Sequence, residues 1–320
     1  PGSRVDAPFA LSGKEMRAAR TGEAYLSLEF TDRTGAIPGI MFRPRSEAEA
    51  VPVGVVVHVR GTLTEYRGIR RISVESMRPA VDYDLRDIVP ASMRDERELV
   101  GELRSLVRQV SHPGLRALLR AVFGDVGFMA RFKASPATRR EHHAYLGGLL
   151  EHTVAVARAC DRLAESYPQI DADVLLTGAL LHDIGVTDEI HIGPGMEETD
   201  EGRLLGHEVL GDRRLMRAAG SLQESLPAGV SLRLSHMLLS HHAAMPGIPG
   251  PSTIEAVALS QADRADAETA RYLDISARAS LAGEAWTDAS NTFGRRLAAP
   301  GVPVAGERLR EDSARAALSA

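Results

Sequence analysis

Histidines and acidic residues in one part of this chain have the spacing of a metal-binding site. Nine of the eleven histidines lie between His142 and His242 of the 320 residues. His182 and Asp183 end an almost wholly apolar segment, and because neighbouring residues of a helix are about 100° apart, both side chains could face one ion. Further candidates occur on separate predicted helices or at their ends, with mostly apolar neighbours: His152, His207, His241, His242 and Asp263. Polar groups in such surroundings need partners, and a divalent metal would supply one to several of them together.

The candidate ligands are nitrogen and oxygen donors. Such a set without thiolate suits Mn²⁺, Fe²⁺, Co²⁺, Ni²⁺ or Zn²⁺, with Mg²⁺ also compatible, and we favour Mn²⁺. The two carboxylate oxygens of Asp183 could also bridge to a second ion. Taken singly, each histidine could be a hydrogen-bonded core or surface residue, but their clustering favours the metal site. Catalysis would then centre on His182 and Asp183.

The spacing of apolar residues predicts that helices carry these candidates. After residue 94, apolar residues recur at i, i+3 and i+4 in segments such as LEHTVAVARACDRLAESY and ADVLLTGALLHDIG. Gly185 stands where a helix C terminus commonly takes a left-handed residue. We expect an all-α bundle over residues 141–296. A linker and connecting helices over residues 81–140 precede it, and a C-terminal tail over residues 297–320 follows.

Residues 1–80 have the alternating pattern of β-strands instead. Leu26, Leu28 and Phe30 face one way, while Tyr25 and Glu29 face the other. Turn signals separate four or five such runs, and a short helical stretch near residues 46–50 precedes the fourth. This pattern fits a small antiparallel β-barrel of the OB-fold better than a sandwich. The fold class is therefore multidomain, with an N-terminal OB barrel followed by an all-α domain.

An OB barrel binds single-stranded nucleic acid by stacking bases on aromatic side chains and by following the backbone with cations. Residues 1–80 hold 12 Lys and Arg against 9 Asp and Glu, although the whole chain has a net charge of −5. Phe30 is expected in the core, whereas Phe42 is compatible with either location. The candidate nucleic-acid-binding residues are Tyr25, Tyr66, Arg67, Arg70 and Arg71. The small positive charge predicts weak, strongly salt-dependent binding.

The overall composition is that of an ordinary globular protein, with 44% apolar and 25% charged residues. The sequence has no run of about 18 apolar residues and no N-terminal secretion signal. We therefore expect no membrane partner and a cytoplasmic location. The single cysteine, Cys160, cannot form an intrachain disulfide and is interpreted as a small buried apolar residue.

The order of the candidate ligands resembles that of the HD phosphohydrolase superfamily, in the version with additional histidines for a second metal. Four segments resemble the YhaM family more narrowly: HHAYLGGLLEHT at 142–153, LLTGALLHDIG at 175–185, TDEGRLLGHEVLG at 199–211 and LSHHA at 239–243. Members of that family are bacterial 3′-5′ exoribonucleases with an N-terminal OB-fold and a C-terminal HD domain. The resemblance extends from about Phe9 to Arg296, since the barrel, connecting helices and HD segments follow the family's order.

The resemblance implies hydrolysis of single-stranded RNA, or of DNA, from the 3′ end by water that two metal ions activate. It implies one ion held by His152, His182, Asp183 and Asp263, with Asp183 bridging to a second ion held by His207 and His241. His242 could serve either ion. His142 and His143 would lie near the phosphate, although they could equally be an exposed pair at a helix N terminus.

Two residues near the metal ligands bear on the substrate. Arg203 lies one helical turn before His207 and could reach a phosphate oxygen or be an ordinary surface arginine. Relatives usually continue HDIG with a lysine, whereas this chain has Val186. A lysine there would help to hold phosphate, so its absence predicts weaker substrate binding without the loss of any metal ligand.

Two other functions are compatible with the sequence. One is the hydrolysis of a small nucleotide by the same metal site, with the barrel serving another purpose. The other is nucleic-acid binding with weakened catalysis. A bundle with an appended barrel is also expected to form a homo-oligomer of unknown order.

Overall fold

Five N-terminal strands close into a barrel. The computed structural model describes residues 2–19, 22–224, 226–242 and 249–300. The strands are β1 (Arg4–Ala18), β2 (Ala24–Asp32), β3 (Gly35–Phe42), β4 (Val56–Tyr66) and β5 (Ile69–Pro79), and the helix α1 (Ser46–Ala50) separates β3 from β4. Their order around the barrel is β1-β2-β3-β5-β4, with β1 paired to β4. The pairs are antiparallel except for a short parallel pairing of β3 with β5. This arrangement confirms the OB-type barrel that the sequence predicts.

The barrel core comes from the face of β2 that the alternating pattern predicts. Leu26, Leu28 and Phe30 are buried, while Glu29 is exposed. Gly39 of β3 lies against the Phe30 ring, where a Cβ atom would be 2.4 Å from Cε2 of the phenylalanine. The glycine is therefore required by the close approach of an aromatic side chain.

In the described residues after the barrel, helices predominate and one small hairpin interrupts them. The helices are α2 (Leu85–Ile88), α3 (Glu96–Gln109), α4 (Pro113–Phe123), α5 (Val126–Ala134), α6 (Gly148–Ser166), α7 (Ala172–Leu181), α8 (Val186–Glu189), α9 (Asp200–Gly220), α10 (Ala228–Ser240) and α11 (Ile254–Leu281), and the hairpin strands are β6 (Ile190–His191) and β7 (Glu197–Glu198). None of the helices in the described part of the chain is both long and apolar enough to cross a membrane.

The barrel and the helices share apolar packing. Ala10 of β1 and Val56 of β4 belong to the same buried cluster as the cores of α3 to α7. The backbone N–H of Arg33 also donates to the carbonyl of Asp87, at 3.2 Å. Removing the barrel would therefore expose apolar surface on the helices.

The chain divides into two compact units, residues 1–263 and residues 264–320. The first contains the barrel and every candidate metal ligand. In the described part of the second, the last turns of α11 are followed by a β-bridge between Trp286 and Ala298. The hydroxyl of Tyr272 donates to the carbonyl of Ala298 at 2.9 Å. Residues 301–320 of the expected tail and residues 243–248 lie outside the described residues.

Candidate metal centre

Helix α7 delivers His182 and Asp183 to the centre. Asp171 caps its N terminus by accepting from the backbone N–H of Val174, and every residue from Val174 to Leu181 is buried. His182 follows at the C-cap, and its Nδ1 lies 2.8 Å from the carbonyl of Ala179. That contact makes Nδ1 the protonated nitrogen, so Nε2 presents its lone pair to the centre.

Gly185 corrects one expectation from the sequence. Its φ is −71°, so it is right-handed and not the left-handed residue expected at the end of a helix. The glycine is required for a different reason: a Cβ atom there would lie 2.0 Å from the carbonyl oxygen of His207 and 2.5 Å from the nitrogen of Gly211. The absence of a side chain at Gly185 thus allows α9 to approach His182 and Asp183.

Four ligand groups form what we call the first cluster: His152, His182, Asp183 and Asp263. Nε2 of His152 lies 3.2 Å from Nε2 of His182 and 3.1 Å from Oδ1 of Asp263. Oδ2 of Asp183 lies 3.5 Å from His152 Nε2 and 3.4 Å from His182 Nε2. Both histidine side chains are fully buried, so the four donor atoms face one another away from solvent.

Three histidines form the second cluster: His207, His241 and His242. One donor atom from each lies within 4.8 Å of the others. The other carboxylate oxygen of Asp183, Oδ1, lies 3.5 Å from His207 Nε2 and 3.2 Å from His241 Nε2. Asp183 therefore lies between the clusters with one oxygen directed to each, an arrangement compatible with the bridging role expected from the sequence. His242 Nε2 lies 3.5 Å from Oδ2 of Asp263.

Several of these atoms fit a metal ion in their present surroundings. Oδ1 of Asp183 and Nε2 of both His207 and His241 are buried and have no hydrogen-bond partner among the described residues. Leaving such groups unpaired costs free energy, about 1–3 kcal/mol each. Imidazole nitrogens and carboxylate oxygens are also the donors that divalent transition metals accept. The clusters are thus suited to divalent metal binding.

The histidines of the two clusters differ in their protonation at neutral pH. Burial lowers the pKa of His182 to about 4, so the imidazole is neutral at pH 7. Burial also lowers the pKa of His207, but the hydrogen bond that its ring donates to Glu189 and the charge of Asp183 outweigh burial and raise the pKa to about 9. Burial would raise the pKa of Asp183, yet His182, His241 and His207 hold it well below its usual value. Asp183 is therefore a carboxylate.

The structure places His142 and His143 beside the first cluster. Their rings lie 5.1 and 5.5 Å from the ring of His152. They precede α6 in a loop, and His142 is buried, which lowers its pKa to about 4. The alternative of an exposed pair at a helix N terminus is therefore wrong. Nδ1 of His143 lies 2.7 Å from the hydroxyl of Tyr145.

Arg203 and Val186 lie in different surroundings. Nε of Arg203 is 3.6 Å from Oε2 of Glu198, which also lies 3.3 Å from a guanidinium nitrogen of Arg139, so the arginine is in a surface ion-pair group. Val186 is 1% exposed and belongs to the apolar core. Its side chain does not lie on a surface that a phosphate can reach.

Two carboxylates of the centre were not identified from the sequence. Oε2 of Glu189 lies 3.1 Å from Nδ1 of His207, and Oε1 of Glu208 lies 3.2 Å from Nδ1 of His242. The position of Glu208 directly after His207 is a signal that could have been used. No spacing pattern connects Glu189 with the histidines, because the pairing depends on how α8 packs against α9.

The candidate residues of the barrel lie largely at its surface. Tyr66 is 52% exposed, and the guanidinium groups of Arg67 and Arg71 lie 5.3 and 4.6 Å from its ring centre. Arg70 is exposed in the same hairpin. Tyr25 is half-buried, and its ring lies 5.7 Å from that of Phe42, which is exposed. The barrel thus carries two aromatic groups, one of them flanked by arginines.

Known proteins are similar in sequence to most of this chain. Residues 149–268 match the family model of the HD domain. The 3′-5′ exoribonuclease YhaM of Shouchella clausii (strain KSM-K16) is 29% identical over 75% of this chain and 76% of its own length. The protein of that name from Bacillus subtilis (strain 168) is 27% identical over 83% of this chain and 86% of its own.

A solved structure of a replication protein A heterotrimer bound to ssDNA matches 26% of this chain and 61% of the matched chain. The match has 25% identity and a TM-score of 0.22. That score does not establish a shared fold. The resemblance to the YhaM family and to HD domains is confirmed by the sequence matches.

Proposed function

From the HD domain at residues 149–268 and the similarity of most of the chain to relatives named 3′-5′ exoribonuclease YhaM, we propose that this protein is a metal-dependent hydrolase that shortens single-stranded RNA from its 3′ end. The observation that carries the proposal is the division of Asp183 between two ligand clusters. A carboxylate with one oxygen in each cluster would help to hold two ions, and two divalent ions would supply the activated water and the charge stabilisation that phosphodiester hydrolysis needs.

The ligand assignment follows the two clusters. His152, His182, Asp183 and Asp263 would hold one ion, and His207, His241 and His242 would hold the second together with Asp183. We favour Mn²⁺ because the donors are nitrogen and oxygen atoms without thiolate. When bound, the metals would activate water and stabilise the negative charge that develops on the phosphoryl group.

The residues of the chain divide the remaining work. Asp183 stays ionised and directs one oxygen to each cluster. His142 and His143 lie next to His152, where they could contact a phosphodiester. Arg203 would have to leave its partner Glu198 before it could bind phosphate.

The side chains on the barrel surface favour the proposal of a single-stranded substrate. Tyr66 with Arg67, Arg70 and Arg71 offers an exposed ring for base stacking next to cations for the backbone. Tyr25 with Phe42 offers a second aromatic surface. RNA is the proposed substrate because the relatives are named exoribonucleases, and DNA is the alternative. A cytoplasmic location and a homo-oligomeric state stay predictions.

The central experiment follows single-stranded RNA, labelled at either end, on a sequencing gel with Mn²⁺ and with a chelator. The expected result is chelator-sensitive shortening from the 3′ end with release of mononucleotides. RNA that stays intact while a small nucleotide is hydrolysed would contradict the proposal and favour the small-nucleotide enzyme. RNA that is bound but not cut would favour a binding protein.

The role of the barrel is tested by point substitution, because the barrel shares its core with the helices. Tyr66→Ala should weaken binding of long RNA by the worth of one stacked base, about 1–3 kcal/mol, and leave dinucleotide hydrolysis unchanged. Tyr167→Ala is the matched control, since Tyr167 is 54% exposed on the helical part. Equal effects of the two substitutions would contradict a role of the barrel in RNA binding.

A further inference from the structure

Helix α9 is broken immediately before the residues that enter the second cluster. Gly206 has φ 73° and ψ 157°, a conformation that is essentially confined to glycine. A Cβ atom at this position would also lie 2.8 Å from Oε2 of Glu208. The break redirects the chain so that both His207 and Glu208 point to the metal centre.

Glu208 is a buried carboxylate in contact with two candidate ligands. It is 6% exposed. Its Oε1 lies 3.2 Å from Nδ1 of His242 and 3.7 Å from Nε2 of His207. A carboxylate is expensive to bury unless such partners compensate it.

The contact with His242 determines which nitrogen of that ring can bind a metal. If Nδ1 donates to Glu208, Nε2 keeps its lone pair and remains directed at Oδ2 of Asp263, 3.5 Å away. His182 and His241 obtain the same orientation from backbone carbonyls, those of Ala179 and Leu238, each 2.8 Å from Nδ1. Among the described residues, the hydrogen-bond partner of the His242 ring is Glu208 instead.

His242 needs this support more than the other ligands do. Its side chain is 45% exposed, whereas that of His241 is fully buried. The rings of His241 and His207 cover one side of the His242 ring, but a ring that is nearly half exposed is held less by packing than a buried one, so the hydrogen bond contributes more to restricting its rotation. Partners of this kind set the tautomer and orientation of metal-binding histidines.

We propose that Glu208, aimed by the break at Gly206, is a positioning residue that orients His242 and thereby controls occupancy of the second metal position. The inference rests on the metal centre of the proposed function. It adds a residue that acts through His242 and need not touch either ion or substrate.

The test compares Glu208→Ala, Glu208→Gln and the wild-type chain by titrating metal-free protein with Mn²⁺ in a calorimeter. Glu201→Ala is the matched control, since Glu201 is an exposed glutamate on the same helix. Glu208→Ala should weaken the second binding event about 10–100-fold and spare the first. Glu208→Gln should restore most of the loss, because its amide oxygen can still accept from Nδ1. Thermal unfolding without metal would show that the variants are folded.

Two outcomes would overturn the inference. If Glu208→Ala binds both ions like the wild type, His242 does not depend on Glu208. If Glu208→Gln loses the second ion as fully as Glu208→Ala, the site needs the charge of Glu208 and not its hydrogen bond. Wild-type protein that binds two ions but leaves RNA intact would contradict the proposed exonuclease alone, and the variants would still decide the role of Glu208.

Discussion

The two clusters of the metal centre differ in how far they are closed to water. The side chains of His152 and His182 in the first cluster are fully buried, and Asp263 is nearly so. In the second cluster the His242 side chain is 45% exposed. A closed ligand set holds an ion in a fixed position, whereas an open set leaves a coordination position for water or substrate. Among the described residues, the second cluster is therefore the more open to water and solutes at His242.

The clusters also differ in what orients their histidines. His182 receives its orientation from the carbonyl of Ala179, which belongs to the same helix. In the second cluster the carbonyl of Leu238 orients His241 in the same way, but His207 and His242 are oriented by the side chains of Glu189 and Glu208. A backbone carbonyl has a fixed place in the helix, whereas a carboxylate can move and can be protonated. The first cluster should therefore be the more rigid and the less sensitive to substitution around it.

Asp183→Asn should have the largest effect, because it removes the charge of the carboxylate that directs one oxygen to each cluster. We expect turnover to fall about 10³-fold or more, in line with the several kcal/mol that metal ions contribute to phosphoryl transfer. Binding of RNA should persist, since the barrel is unchanged. Turnover and filter binding would be measured on the same preparation. A variant that keeps both ions and its activity would remove the basis for pairing the clusters.

Substituting one histidine in each cluster tests the difference in closure. His182→Ala should reduce activity at least tenfold more than His242→Ala, a difference of about 1.4 kcal/mol. Water can replace the exposed His242 as a ligand, but it cannot easily enter the buried place of His182. Activity across a series of Mn²⁺ concentrations provides the measurement. A larger loss in His242→Ala would reverse the comparison.

The pH dependence of metal binding should separate the clusters further. The pKa of His207 is raised to about 9, so an ion at the second cluster must displace a proton at neutral pH. Its affinity should rise by up to about tenfold per pH unit between pH 7 and 8.5. The pKa of His182 is lowered to about 4, so this histidine adds no such dependence to the first ion. Calorimetric titrations at several pH values would distinguish the two binding events. Equal slopes would contradict the assignment.

The smallest expected effect concerns the stability of the metal-free protein. The pKa of His182 is about 4 in the folded protein and about 6.5 in the unfolded chain. As the pH drops from 6.5 towards 4, the unfolded chain therefore binds a proton that the folded protein does not, and stability should fall. His207 has a raised pKa, so its contribution is complete below 6.5 and is lost as the pH rises through 9. Each slope is at most about 1.4 kcal/mol per pH unit. Urea unfolding would measure both, and His207→Gln should flatten only the alkaline side.

Much of the fold and of the candidate ligand set was predictable from local pattern. The alternation of Leu26, Leu28 and Phe30 gives the inner face of β2 because a strand has a period of two. The apolar run before His182 gives a buried helix that ends at the HD dyad. These signals are local, so the sequence carries them directly.

The remaining features depend on contacts between distant segments. Gly185 is explained by the approach of His207 and Gly211, and no turn rule could supply that contact. Val186 points into the apolar core. Relatives usually have a lysine at this position, but that difference alone could not show that the valine side chain is buried. Glu189 reaches His207 only because α8 packs against α9. Such pairings appear once the helices are placed.

Each of the five described barrel strands is paired with a strand on either side, so the barrel has no edge strand. Within the described strands, β1 is hydrogen-bonded to both β2 and β4, so the sheet runs in a cycle. An open edge would present unpaired N–H and C=O groups, which allow strand addition by peptides and also aggregation. Under the proposed function, RNA would therefore be recognised through side chains on the barrel surface, and sequence changes there would alter the partner without disturbing the sheet.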